Sequence, residues 1–212
     1  MKERSNGGTG MTGNTSRVTK PAARQQSRLA GVVPNTREGF VDRVSNVVLK
    51  GHRATVTWID PDLLPGVDPR AVYGVAVVAF SGDDELVMVE LDRGIEVPAG
   101  TVEDTDESLE HTARREAWEE ACITLGELHL VQLMRVEWRD LSAPMVYVPV
   151  YAAKVETMAP FECRHETYAR ILVSSQEYVD VLGFGTKRDR EQLIADAKTA
   201  VNRSGHARIF RR

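Results

Sequence analysis

The chain reads as an α/β protein, and three features carry that reading. Tyr73 to Phe80 is an unbroken apolar run of the kind that forms a buried strand. Glu107 to Ala121 is a stretch of good helix formers with a charged start and no internal Gly or Pro. Beyond it, Leu128 to Glu137 and Met145 to Val155 are β-rich and separated by the polar Trp138 to Pro144 segment.

Taken in order, residues 1–34 are rich in Gly, Ser, Thr, Asn and Gln and hold few large apolar groups, the composition of a disordered tail. Val44 to Leu49 and Ala54 to Ile59 flank Lys50-Gly51-His52-Arg53 and read as a hairpin. A helix over Glu38 to Leu49 competes, because Val41, Val44 and Val48 also fit one helical face. Asp60 to Gly66 is turn chemistry and marks a boundary. The expected organisation is a tail (1–34), an N-terminal β extension (35–66) and a main domain (67–212). Within that domain, Ser81-Gly82-Asp83-Asp84 is a turn signal joining Tyr73–Phe80 to Glu85–Leu91, which makes a second hairpin. Ala169 to Val173 reads as a late strand, and Arg188 to Val201 has helical periodicity.

The net charge of −4 argues against broad nucleic-acid binding, which leaves a basic footprint. No apolar run is long enough to span a membrane. Cys122 and Cys163 are too few for a disulfide framework, so a reducing, cytoplasmic setting is expected.

Chemistry concentrates on the first helix. At about 100° per residue, Glu116, Glu119 and Glu120 share one sector, while Ala113, Ala117 and Ala121 fall on the adjoining one and let the helix lie close against a sheet. Like charges at these spacings repel, and burial adds to the cost. A bound dication reverses the sign of that interaction. Carboxylate oxygens suit hard ions, so Mg²⁺ is the expected cofactor, with Mn²⁺ able to substitute. Neither His pairs nor Cys pairs offer a zinc alternative.

Pro98-Ala99-Gly100, Glu107, Arg115-Glu116 and Glu119-Glu120 together resemble the Nudix hydrolase signature, G-x5-E-x7-R-E-U-x-E-E-x-G-U with U a bulky apolar residue, over residues 100–123. Three positions depart from it. Six residues separate Gly100 from Glu107, Ala117 occupies a U position, and Cys122 replaces the second glycine, where a left-handed conformation costs about 1 kcal/mol.

The resemblance implies an α/β/α sandwich with a mixed sheet and a loop-helix-loop catalytic unit. It implies hydrolysis of a nucleoside diphosphate linked to a group X, with ADP-ribose or a nucleotide sugar favoured. By motif position, Glu116 and Glu120 would ligate metal, Glu119 would be a ligand or orient water, and Arg115 would orient Glu116. Glu107 would be structural, and the carbonyl of Ala99 or Gly100 would complete the metal shell. The general base is sought among Glu137, Glu156, Glu162 and Glu166; Glu166 is preferred because it precedes the late strand, with His165 beside it. Trp138 and Tyr147 are candidates to stack on a base, and Arg93 and Arg139 to contact phosphate. The N-terminal β piece implies a homodimer in the ADP-ribose pyrophosphatase branch. Two further readings stand beside the enzyme: a non-catalytic nucleotide sensor, and a housecleaning pyrophosphatase for nucleoside triphosphates.

Overall fold

A computed structural model describes residues 40–49, 51–162 and 166–209, with side chains through 203. All lie in one unit, Pro34–Arg212. The expected tail, residues 1–34, lies outside the described residues, as do Arg164 and His165.

The two readings of the N-terminal segment resolve as a hairpin. β1 (Arg43–Leu49) pairs antiparallel with β2 (His52–Ile59), and Gly51 adopts the positive φ of 80° that the tight turn requires. The competing helix over Glu38 to Leu49 gives way to a strand that holds β-branched Val44, Val47 and Val48, stiff at χ1 and suited to a pleated surface, and that pairs along its whole length with β2. The turn segment after β2 coils as a 3-10 helix over Pro61–Gly66, with the Asp60 side chain accepting from Asp62 N–H.

β3 (Gly74–Phe80) is buried at every residue, as its apolar run demands, and forms a hairpin with β4 (Glu85–Leu91). Short β5 (Gly94–Glu96) pairs β4, and β6 (Ala99–Thr101) pairs β3. Helix α1 (Leu109–Ala121) follows, then β7 (Ile123–Leu125), β8 (His129–Trp138), β9 (Val146–Met158), β10 (Thr167–Ser174), α2 (Ser175–Val181) and α3 (Lys187–Ile209). The strand order is β1-β2-β8-β9-β3-β4-β10, with β3 and β9 parallel and the other neighbours antiparallel.

Alternation along β3 distributes two cores. Val75, Val77 and Ala79 pack with Ala113, Ala117 and Ala121 of α1. Ala76, Val78 and Phe80 pack on the opposite face with Tyr178 and Val179 of α2 and Ile194, Ala197 and Val201 of α3. The result is an α/β/α sandwich around a mixed sheet. The hairpin β1–β2 extends this same sheet through β8 and is tied to α3 by Asp189, which accepts from Ser45 Oγ at 2.7 Å and Arg43 Nε at 3.3 Å.

Helix α1 starts two residues later than its composition indicates. Ser108 is the N-cap, its hydroxyl accepting from His111 N–H, so Glu107 lies outside the first turn. The alanine stripe is buried as expected, each residue 0% exposed.

Candidate active site

The glutamates are presented by α1 against β6, and the backbone alternation of β6 explains how. Val77 N–H takes the Pro98 carbonyl and Val102 N–H takes the Tyr73 carbonyl, so Ala99 and Thr101 turn their backbone groups away from β3 and toward α1. Ala99 N–H donates to Glu120 Oε2 at 2.9 Å, and the Thr101 carbonyl accepts from Arg115 Nη2 at 2.8 Å. The Ala99 carbonyl shares this orientation. Between them, Gly100 leaves room for Glu116: a Cβ there would stand 1.9 Å from the Glu116 carboxylate.

Glu116 and Glu120, one turn apart, are both buried. Burial raises the Glu116 carboxyl above its ordinary value against the pull of Arg115. Glu120 is pushed up to about 7, by burial first and then by repulsion from Glu116 and Glu166, against the Ala99 N–H and Arg93. Glu119 is more open and accepts from Arg115 Nη1 at 3.1 Å.

Arg115 organises this face. Nη1 donates to Glu116 at 2.8 Å, while Nε and Nη2 donate to the two Asp106 oxygens at 3.0 and 2.8 Å. The buried acidic partner of Arg115 is thus Asp106 and not Glu107. Asp106 is held by a tight turn with Glu103, receives Thr112 Oγ1 at 2.9 Å, and has its carboxyl well below the usual carboxylate range, chiefly through Arg115. Glu107 faces solvent and contributes only its N–H, to His111 Nδ1. Asp106, sixth after Gly100, points inward in its place.

Across from α1, Arg93 Nε donates to Glu96 and Arg93 Nη1 pairs with Glu166, both at 3.0 Å. Arg93, Ala99, Arg115, Glu116, Glu119, Glu120, Trp138 and Glu166 all line one cavity of about 890 Å³. Arg139 is not among the lining residues: β8 keeps pairing with β2 through Trp138, and Arg139, next in the chain, is exposed with its N–H on Arg53 O. Of the other downstream acids, Glu137 pairs with Arg135 on the surface, and Glu156 and Glu162 are exposed away from the cavity. Tyr147 does not line it either.

The cavity also holds residues the sequence reading passed over. Trp58 and Phe184 meet edge to face at 6.1 Å, with Met134, Val148 and Leu182 among their neighbours in the wall. Only the apolar run of β2 and the Gly183-Phe184-Gly185 turn hinted at them.

Among the described residues, no three His, Cys, Asp or Glu side chains converge on a single point. The oxygens that could hold a cation are those of the two buried carboxylates, the more open Glu119 and the outward Ala99 carbonyl. Those hard oxygens, on two carboxyls whose ionised form burial disfavours and a cation would favour, fit Mg²⁺.

The architecture is a mixed-sheet α/β/α sandwich with two buried carboxylates on one helix. The chain matches the NUDIX domain over residues 70–193, more than half of its 212 residues, and belongs to that family. No curated protein sequence matches it. Similar solved structures include the Bacillus subtilis pyrophosphohydrolase BsRppH, 22% identical, covering 61% of this chain and 77% of that one at a TM-score of 0.48. A NUDIX hydrolase from Nitrosomonas europaea is 22% identical, covering 60% and 88% at 0.48. The NUDIX domain of Shewanella oneidensis NrtR, complexed with ADP ribose, is 19% identical, covering 66% and 96% at 0.49.

Proposed function

We propose that the protein is a Mg²⁺-dependent nucleotide pyrophosphatase that cleaves a nucleoside diphosphate linked to X, with ADP-ribose or a nucleotide sugar as substrate. The observation that carries this reading is the placing of Glu116 and Glu120, buried one turn apart beside the Ala99–Gly100 strand, in a cavity of about 890 Å³. That volume lies in the range that encloses a whole small ligand. Its lining includes two chemistries: carboxylates and arginines from α1, the Arg93 turn and Glu166, beside the β6 backbone, suit a diphosphate with its cations, and Trp58, Trp138, Phe184 and aliphatic neighbours suit a base.

Glu116, Glu120 and the Ala99 carbonyl would hold the ion, with Glu119 as a further ligand or water-orienting group. A divalent cation held there would supply charge neutralisation for the diphosphate and a lowered pKa for the attacking water. Arg115, fixed by Asp106, keeps the Glu116 carboxylate turned toward β6. Arg93 donates to phosphate oxygens, and Glu166, released from Arg93 as those oxygens take its place, accepts the proton of the attacking water. The products are a nucleoside monophosphate and phosphorylated X.

A panel of ADP-ribose, nucleotide sugars and nucleoside triphosphates, with Mg²⁺ and Mn²⁺, tests the reading on wild type and E120Q. Wild type is expected to split ADP-ribose or a nucleotide sugar into two phosphomonoesters, and E120Q to be slower by orders of magnitude. Equal rates in the two proteins contradict the role given to Glu120. Tight binding without phosphate products indicates a sensor, and preference for triphosphates a housecleaning enzyme.

A further inference from the structure

The C-terminal end of α1 is closed by a residue from a distant strand. Cys122 ends the helix in the left-handed region, φ 53° and ψ 44°, where a side chain is strained and glycine is favoured. Its N–H completes the last turn on Trp118 O at 3.0 Å. The carbonyls beyond that bond converge on β10: Arg170 Nη1 donates to Ala121 O at 2.8 Å and to Ala159 O at 2.9 Å, with Cys122 O at 3.5 Å. Ala159 N–H returns to Cys122 O at 3.0 Å, and the guanidinium lies 5.9 Å from the Phe161 ring centre. One nitrogen therefore joins the end of α1 to the chain just past β9. A cation at a helix C-terminus is favourable, since it meets the negative end of the dipole and the unsatisfied carbonyls.

Two consequences reach the carboxylates. Glu120 stands two residues before Cys122, within this last turn, and its carboxyl accepts the Ala99 N–H at 2.9 Å. Arg170 also sits on the strand that begins immediately after Glu166, so the same contact fixes β10 relative to α1. Resting on the functional reading above, we propose that Arg170 is a positioning residue for the metal-holding carboxylates, clamping the strained last turn of α1 so that Glu116 and Glu120 face the Ala99–Gly100 strand. It takes over the work of the glycine that the resemblance places at position 122.

The test compares wild type, R170M, R170Q and R170K by Mn²⁺ titration followed by electron paramagnetic resonance without substrate, by hydrogen exchange at the Ala121 and Cys122 amides, and by turnover. R170M is expected to bind Mn²⁺ about tenfold more weakly. Its two amides should exchange faster, and kcat should fall with KM nearly unchanged. R170K, which keeps a charge and a donor, should recover most of the affinity. Wild-type Mn²⁺ affinity, exchange and kcat in R170M overturn the proposal, as does a lowered melting temperature with unmoved Mn²⁺ affinity. If R170M does not fold, R170Q is read by the same criteria. Were the wild type to bind Mn²⁺ yet split no diphosphate, the functional reading would fail while the affinity comparison still decided the part played by Arg170.

Discussion

Replacing Glu120 with glutamine isolates the electrostatic tension at the centre of the site. Glu120 is only 5% exposed, and burial pushes its carboxyl from 4.5 to about 7. Between those two values the folded protein binds more protons than the unfolded chain, so the metal-free fold loses stability as pH rises through that window. At roughly 1.4 kcal/mol per pH unit, the loss integrates to about 3 kcal/mol and is complete above pH 7. Below pH 4.5 both states are protonated and the loss vanishes. The amide oxygen of E120Q still accepts the Ala99 N–H, so the hydrogen bond at 2.9 Å survives while the charge is gone. Urea unfolding in the presence of a chelator is therefore expected to find E120Q more stable than wild type by about 2 to 3 kcal/mol at pH 8, and by little at pH 4.5. Saturating Mg²⁺ should stabilise wild type and narrow the difference. A stability difference that is the same at both pH values would refute the reasoning, since only a carboxylate strained by burial gives that window.

Other expectations concern the supports of the same carboxylates. D106N leaves the partly buried Arg115 without its main partner and should cost about 3 kcal/mol in urea unfolding, whereas E107A should stay within about 0.5 kcal/mol. Because Arg115 holds Asp106 low, the wild type should lose this contribution as pH falls below the ordinary value of 3.8, and D106N should lack that acid-limb loss. G100A places a Cβ within 2 Å of the Glu116 carboxylate, and the displaced ligand should lower kcat about 100-fold while far-UV circular dichroism is unchanged. R93M removes a charged donor from the phosphate end and should raise KM about tenfold in steady-state kinetics.

The elements that could be read from the chain are those whose signal is local. β3 announces itself because all seven residues are buried, so no polar alternation interrupts the run. The face of α1 was legible because Ala113, Ala117 and Ala121 are the small residues that close approach to β3 requires. Helix α2 went unread: seven residues give too little periodicity, although Ser174 and Glu177 form a capping box whose Ser-x-x-Glu spacing is visible in the sequence. Asp106 was hidden for a different reason. Spacing from Arg115 selects Glu107 while spacing from Gly100 selects Asp106, and the tight turn between Glu103 and Asp106 shows which of the two points inward. The Trp58–Phe184 contact joins β2 to the loop before α3, and such a pairing is a property of the closed fold that no local pattern carries. Arg139 falls outside the cavity wall, since a guanidinium at a strand end satisfies a chemical criterion without fixing where the chain leaves the strand.

Anomalous diffraction from crystals soaked with Mn²⁺ and a non-hydrolysable diphosphate analogue would test the account's core most directly. The expected map shows manganese at about 2.2 Å from carboxylate oxygens of both Glu116 and Glu120, with the diphosphate against it. Manganese bound elsewhere, with those two side chains still hydrogen-bonded only to Arg115 and Ala99, would contradict it.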